Sequence, residues 1–405
     1  MAGPLAGLKV LDLSRVLAGP WASQILADLG ADVVKVERPG VGDDTRGWGP
    51  PFLRDAEGRT GDAAYFLAAN RNKRSLALDL SKSEGQAVVR RLAARADVVL
   101  ENFKRGDLKR YGLDYASLHQ LKPDLVYCSI TGFGQDGPHA DRPGYDFMIQ
   151  GMAGFMSLTG EAGGEPLRAG VAVADLTTGM YSALAILAAL RHRDATGEGQ
   201  HIDMALFDVT FGWLANQAQN YLVGGKVPGR TGNTHPNLVP YQVFSTATKP
   251  IIVAVGNDKQ FAAFAGALGH AEWAEDARFR LNRDRIANRE LLVGLIQQVM
   301  TGQPAEHWLE AIDAVGVPVG PVNSLDQAFA DPQVAARGLL VEVDHAAAGP
   351  IRTLAQPMKF SATPPDYHSA PPLLGQHSRE VLSEAGFTRD EIAALEVSGV
   401  LSQCD

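Results

Sequence analysis

Cysteine is nearly missing: Cys128 and Cys404 are the two present among 405 residues. That is too few for a disulfide framework, and no Cys/His spacing suits a zinc knuckle. A reducing, cytoplasmic setting is therefore expected, and no metal is assigned. Positive charge is also short. Lys+Arg total 37 against 46 Asp+Glu, and the basic residues form no stripe, so nucleic acid is not an expected partner. The richest apolar run, Ser182 to Leu190, falls far short of the roughly 20 residues a bilayer span needs. Met1 to Leu5 has no basic segment ahead of an apolar one, so neither membrane nor export is expected.

What is present is an ordinary globular balance, 45% hydrophobic and 20% charged, in a chain long enough for two or three domains. The first half alternates β-branched runs with helical patterns. Leu8 to Leu13 reads as a strand, Trp21 to Leu29 as an amphipathic helix and Asp32 to Glu37 as a second strand. The rhythm continues with strand Ser75 to Leu80, helix Ser83 to Ala94, strand Asp97 to Glu101, helix Tyr115 to Leu121 and strand Leu125 to Ile130. This predicts an α/β fold with a doubly wound, Rossmann-like parallel sheet. Helices are expected over Thr178 to Arg191 and Phe207 to Val223, followed by a Gly-rich exit at Gly224 to Gly232. A smaller α/β body then runs from strand Ile251 to Val255 through helices ending near Ala314, and the tail, Ser378 to Leu401, holds two short helical patterns.

Ligands of such sheets collect beyond the carboxyl ends of the strands. Those ends carry Ser14-Arg15-Val16, Glu37-Arg38, Asp79 to Lys82, Glu101-Asn102-Phe103-Lys104 and Thr131 to Gly134. Arginine grips phosphate oxygens bidentately while Val16 and Phe103 offer an apolar wall, which suits a phosphorylated ligand with apolar surface. A dinucleotide is disfavoured, because Arg15 to Pro20 lacks the G-x-G-x-x-G turn that admits a pyrophosphate. Asp175 stands alone as an acid just ahead of the buried helical pattern. It reads as a helix N-cap, and equally as a carboxylate nucleophile held at a helix N-terminus. Residues 40–51 and Arg230 to Asn237, with His235, read as loops on the ligand side.

Several ordered motifs carry a family likeness: Leu17-Ala-Gly-Pro20, Leu29 to Glu37, Gly42-Asp-Asp-Thr-Arg46, Asn70-Arg-Asn-Lys-Arg-Ser75, Asp97 to Phe103, Ala174-Asp175 and Gly197-Glu-Gly-Gln200. Through them the chain resembles the class III CoA-transferases, the formyl-CoA and carnitine CoA-transferase (CaiB/BaiF) family, nearly end to end. The resemblance implies that Asp175 is the catalytic nucleophile, passing through aspartyl mixed-anhydride and aspartyl-CoA thioester intermediates. It implies that Val16, Arg38, Leu78, Asn102, Phe103 and Arg110 line the CoA site, with Lys104 as an added phosphate contact and Tyr145 as a ligand contact. No cofactor is tightly bound; coenzyme A enters as part of the substrate. The family's interlocked homodimers imply a large domain from residues 1–200 and 355–405, a linker helix over 201–228, a small domain over 229–330 and a return linker over 331–354.

The sequence departs from the formyl-CoA pattern at Leu17, Ser81 and Leu206 and in lacking an all-glycine flap. Gly232 to Phe244 and Gly256 to Phe261 are more similar to the branch that uses succinyl-CoA and dicarboxylates. In that branch Arg46, Arg71 or His235 would pair with the remote carboxylate, and Leu17 would adjoin the reacting acyl group. Two other readings stay open: α-methylacyl-CoA racemisation, which Tyr145 disfavours because a phenol is a poor base at neutral pH, and CoA binding without catalysis.

Overall fold

The computed structural model describes residues 3–55 and 57–404. The inner strands of its largest sheet are buried on both faces, which is why they read as continuous β-branched runs rather than alternating ones. Val10, Val33, Val98 and Leu100 point into one core, and Leu11, Val36, Leu76 and Val99 into the other. Helices Ala18–Asp28, Asp146–Met152 and Val173–Thr196 close the first face. Ser83–Ala93, Tyr115–Leu121, Ser378–Glu384 and Arg389–Val397 close the second.

Across the sheet the strands run Leu401–Ser402, Lys73–Leu78, Asp32–Glu37, Lys9–Asp12, Val98–Glu101, Val126–Thr131 and His201–Ala205. All pair in parallel except Leu401–Ser402, which is antiparallel to Lys73–Leu78. Counted along the chain, the six parallel strands follow the order 3-2-1-4-5-6, which reverses direction between Lys9–Asp12 and Val98–Glu101. Ligands of doubly wound sheets bind at that switch point.

Two compact units can be separated: residues 1–155, 168–219 and 335–405 form the larger, and 156–167 with 220–334 the smaller. The smaller has an antiparallel sheet of Val319–Pro321, Ile251–Ala254 and Tyr241–Phe244. Phe244, Phe261, Phe264, Leu292, Ile296 and Trp308 form its core.

Several expectations change. Residues 201–205, expected in a linker helix, form an edge strand, because their main chain pairs with Tyr127–Thr131. The helix expected over Phe207 to Val223 is two helices, Leu206–Gly212 and Ala215–Gly224, and Ala215 has a φ of 42° at the break. The return linker contains a hairpin, Leu340–His345 with Gly349–Leu354. The apolar segment around Ser182 extends into the 24-residue helix Val173–Thr196, which by length and mean hydropathy of 1.5 would suit a bilayer. Half of that window is buried inside the fold, where its apolar residues join those of the sheet and of Ala18–Asp28.

Gly179 sets how closely those two helices approach. A Cβ there would lie 2.6 Å from the Ala18 carbonyl oxygen and 3.0 Å from Trp21 Cβ. Glycine to alanine inside a helix ordinarily stabilises by about 0.5–1 kcal/mol. Here Gly179→Ala is expected to destabilise by about 1–3 kcal/mol in chemical denaturation, because backbone must shift to relieve the overlap. A stabilised variant would show that the helices are not in this contact.

Candidate active site

The loops beyond Lys9–Asp12 and Val98–Glu101 are fastened to each other. Asn102 Oδ1 accepts from the Arg15 N–H at 3.0 Å, and Asn102 Nδ2 donates to the Arg15 carbonyl at 2.7 Å. Val16, with a φ of 70°, is held in the left-handed region that β-branched residues avoid, at a cost of order 1–3 kcal/mol. Its N–H donates to both oxygens of Asp43 at 3.1 Å. Asp43 in turn pairs with the buried Lys35 at 2.8 Å, and Lys35 Nζ also donates to the Ser14 carbonyl at 2.8 Å. Burial alone would raise the Asp43 carboxyl. The Lys35 ammonium and the hydrogen bonds from Thr45 outweigh it and hold the group down at about 2.

Two adjoining cavities open over these loops. One, of about 410 Å³, is lined by Arg38, Leu78, Leu80, Phe103, Arg110 and Tyr111 among others. The second, of about 530 Å³, contains Val16, Leu17, Asn102, Lys104, Tyr145 and Asp175. Arg15, Asp44, Phe103 and Asp107 line both, so the two cavities adjoin along that shared wall. Every residue assigned above to CoA therefore lines one or the other, and Asp175 and Leu17 stand in the second. Sequence reasoning missed Trp48, which lines the Asp175 cavity and packs edge-on against Tyr65 at 5.3 Å between ring centroids. It is the lone aromatic of residues 40–51, already a ligand-side loop, and that position was the available signal.

Asp175 lies in the first turn of Val173–Thr196 but is not its cap, which corrects the simpler reading. Ala172, at the N-cap position, has no side-chain oxygen to offer. The Asp146 carboxylate accepts instead from the Ala174 N–H at 2.7 Å and more loosely from the Asp175 N–H at 3.4 Å. The approach of the 143–146 segment rests on two glycines. Gly132 and Gly144 touch so closely that a Cβ on Gly144 would lie 2.3 Å from the Gly132 Cα. Among the described residues no cation pairs with the Asp175 carboxylate. Burial, and then the neighbouring charge of Asp146, push it up to about 7. Above neutral pH this is an ionised carboxylate of unusual basicity at a cavity wall, which suits a nucleophile.

Arg46 and Arg71 are not where a substrate could reach them. Arg46 makes a two-pronged pair with Glu37 at 2.8 and 2.7 Å and reaches Asp62 at 2.6 Å. Arg71 does the same with Asp28 at 2.9 and 2.5 Å. Both are buried and neither lines either of the two cavities described above, so their expected role in gripping a remote carboxylate is withdrawn. His235 belongs to the smaller unit. Its Nδ1 accepts from the Asn237 N–H at 3.0 Å, and its ring lies 5.0 Å from that of Tyr241.

The family model described as CoA-transferase family III matches residues 5–378. The chain belongs to that family. This class III CoA-transferase is 53% identical over 381 residues to a succinate–glutarate CoA-transferase of Agrobacterium fabrum, covering 94% of this chain and 95% of that protein. It is 41% identical over 401 residues to the succinyl-CoA:glutarate CoA-transferase of Mus musculus, with 99% and 91% covered. Among solved structures, a CAIB/BAIF family protein from Brucella suis superposes with a TM-score of 0.84 at 51% identity, over 95% of this CoA-transferase and 100% of that chain.

Breaking a buried ion pair by removing one partner costs about 3–5 kcal/mol. Arg71→Ala is expected to lose that much stability in urea. A substrate contact would instead leave the urea midpoint unchanged and raise KM for the acceptor acid.

Proposed function

We propose that this enzyme moves CoA from succinyl-CoA to a dicarboxylic acid of the glutarate type, with Asp175 as covalent carrier. The observation that carries the mechanism is the Asp175 carboxylate, unpaired with any cation among the described residues, on the wall of a cavity that adjoins the strand-end crevice and shares Arg15, Asp44, Phe103 and Asp107 with it. The substrate class is supported by the named activities of the Agrobacterium fabrum and Mus musculus relatives, which span nearly the whole chain.

The chemistry balances with carboxylates and one thiolate. An Asp175 oxygen attacks the thioester carbonyl carbon, the C–S bond breaks, and CoA thiolate leaves a succinyl-aspartyl anhydride. The thiolate then attacks the aspartyl carbonyl, giving an aspartyl-CoA thioester and free succinate. The acceptor carboxylate attacks that thioester and displaces the thiolate, which finally attacks the acceptor's acyl carbon and frees Asp175. Each step exchanges a carboxylate and a thiolate at an acyl carbon, so every bond formed is matched by one broken. The sequence needs no added acid, base or oxidant. CoA is a substrate moiety throughout and no tightly held cofactor takes part.

The cationic rim suits the CoA phosphates. Arg15, Arg105 and Arg110 are exposed and paired only with surface carboxylates, Asp44, Asp141 and Asp107. Such pairs contribute about 0–1 kcal/mol, so a phosphate can replace them readily. The reading includes the interlocked homodimer of the family in a cytoplasmic, reducing setting. The scarcity of cysteine, two in 405 residues, supports the setting. Exposed apolar side chains on both units support the dimer: Tyr181, Leu184 and Phe211 on the larger, Leu222, Val223 and Val227 on the smaller.

Hydroxylamine added to enzyme incubated with succinyl-CoA is expected to leave a hydroxamate on Asp175, located by peptide mass spectrometry; an adduct on another residue overturns the mechanism. Asp175→Ala is expected to slow CoA exchange by at least about a thousandfold. The pH dependence follows from the raised carboxyl. The group must be ionised to attack, so kcat/KM is expected to rise through an inflection near 7 and to stand about tenfold below its plateau at pH 6. Analytical ultracentrifugation should show twice the chain mass; a stable monomer would remove the dimer from the proposal.

A further inference from the structure

The nucleophile's helix begins without a cap of its own, and its missing acceptor comes from 28 residues upstream. Asp146 Oδ1 takes the Ala174 N–H at 2.7 Å, while its Oδ2 is fixed by Gln150 Nε2 at 2.7 Å. Gln150 is fully buried, and its Oε1 accepts from the Ala169 N–H at 2.9 Å, tying down the strand of chain that leads into the helix. A neutral Ser or Asn cap would meet the hydrogen-bonding need equally well. A carboxylate here does something those residues would not, because it brings a second negative charge against Asp175.

We infer that Asp146 is a positioning residue for the nucleophile: it ends the helix that carries Asp175 and sets a like charge beside the attacking oxygens. This rests on Asp175 being the nucleophile, as proposed above. A charge at that place disfavours ionisation of its neighbour and so keeps the ionised form basic and reactive. The other groups facing the pair do not cancel it. Tyr65 is a neutral phenol, itself pushed up by burial and then by both carboxylates. Tyr145, the preceding residue, is exposed. Of the cations around the cavity, Arg15 and Arg105 are paired with Asp44 and Asp141, and Lys104 and Arg142 form no ion pair with Asp146 or Asp175 among the described residues. Arg168 lies over the Phe147 ring, 5.8 Å from its centroid.

The test compares Asp146→Asn and Asp146→Ala with the parent in two assays. The first follows isotope-labelled succinate entering succinyl-CoA as a function of pH. Both variants remove the charge, so the inflection in kcat/KM is expected to fall from near 7 by about one unit or more. Asp146→Asn retains an acceptor for the Ala174 N–H, although its amide no longer suits Gln150. Its kcat at pH 8 should exceed that of Asp146→Ala by about tenfold, since only the latter uncaps the helix. An inflection that stays near 7 in both variants overturns the proposal, because a purely structural cap would lower activity without moving it.

The second assay needs no turnover. Folded Asp175 holds its proton up to about 7, whereas the unfolded group releases it near 3.8. The fold therefore loses stability progressively as pH rises from about 3.8 to about 7 and stays at that lower level above, so Asp175→Asn should raise the melting temperature at pH 8 more than at pH 5. In the Asp146→Asn background that pH-dependent gain is expected to shrink; an equal gain in both backgrounds overturns the inference. If Asp146→Asn does not fold, Asp146→Ala serves for both readouts. Failure of succinyl-CoA as donor would silence the first assay and leave the second intact, so the two proposals fail separately.

Discussion

A lysine ammonium shut off from water must be surrounded by acceptors, and Lys35 finds them in the two loops that frame the site. One is the Ser14 carbonyl, the other the Asp43 carboxylate that holds Val16 in its strained conformation. Behind it, Asp12 accepts from Ser14 and Ser23, and Lys73 is satisfied by Pro20 and Asn70. This dry ionic cluster joins the end of strand Lys9–Asp12, which borders the reversal of strand order, to the next two strands on one side, Asp32–Glu37 and Lys73–Leu78. With each donor and acceptor matched, the loops over it have little freedom to rearrange, and the mouth of the crevice inherits their rigidity. An ionic cluster of this kind need not add net stability over an apolar one. What it supplies is a fixed backbone beneath the ligand.

The division of labour among arginines follows the same logic. Arg46 and Arg71 are buried and bound bidentately by Glu37 and Asp28, so they organise the fold. Arg15, Arg105 and Arg110 are half in water with one weak partner each, so they remain exchangeable. Sequence shows both kinds simply as arginines. Burial separates them, and burial depends on partners far along the chain: Arg71 meets Asp28 across 43 residues and Arg46 meets the Pro372 carbonyl across 326.

That is also the boundary of what was legible. Asp32–Glu37 and Tyr115–Leu121 have the limits their local patterns predict, and strand-end chemistry located the crevice, because apolar periodicity is a local signal. The edge strand His201–Ala205 reads as linker in the sequence because it is half exposed and its hydrogen-bonding partner lies more than seventy residues earlier. The break at Ala215 was hidden because the apolar pattern continues through it. Asp175 stood out as a lone acid in an apolar setting. Its relation to Asp146 was invisible, since neither residue's spacing announces the other.

Strand Lys73–Leu78, whose last residue walls the crevice, is bordered on its outer edge by Leu401–Ser402, and Ser75 is held by Gly375 and His377. A chain emerging N-terminus first from the ribosome thus exposes the floor of its binding crevice hundreds of residues before the segment that seals that border is made. Until Leu401–Ser402 is made, this sheet has a bare rim, and a nascent chain must keep that rim from sticking to other strands.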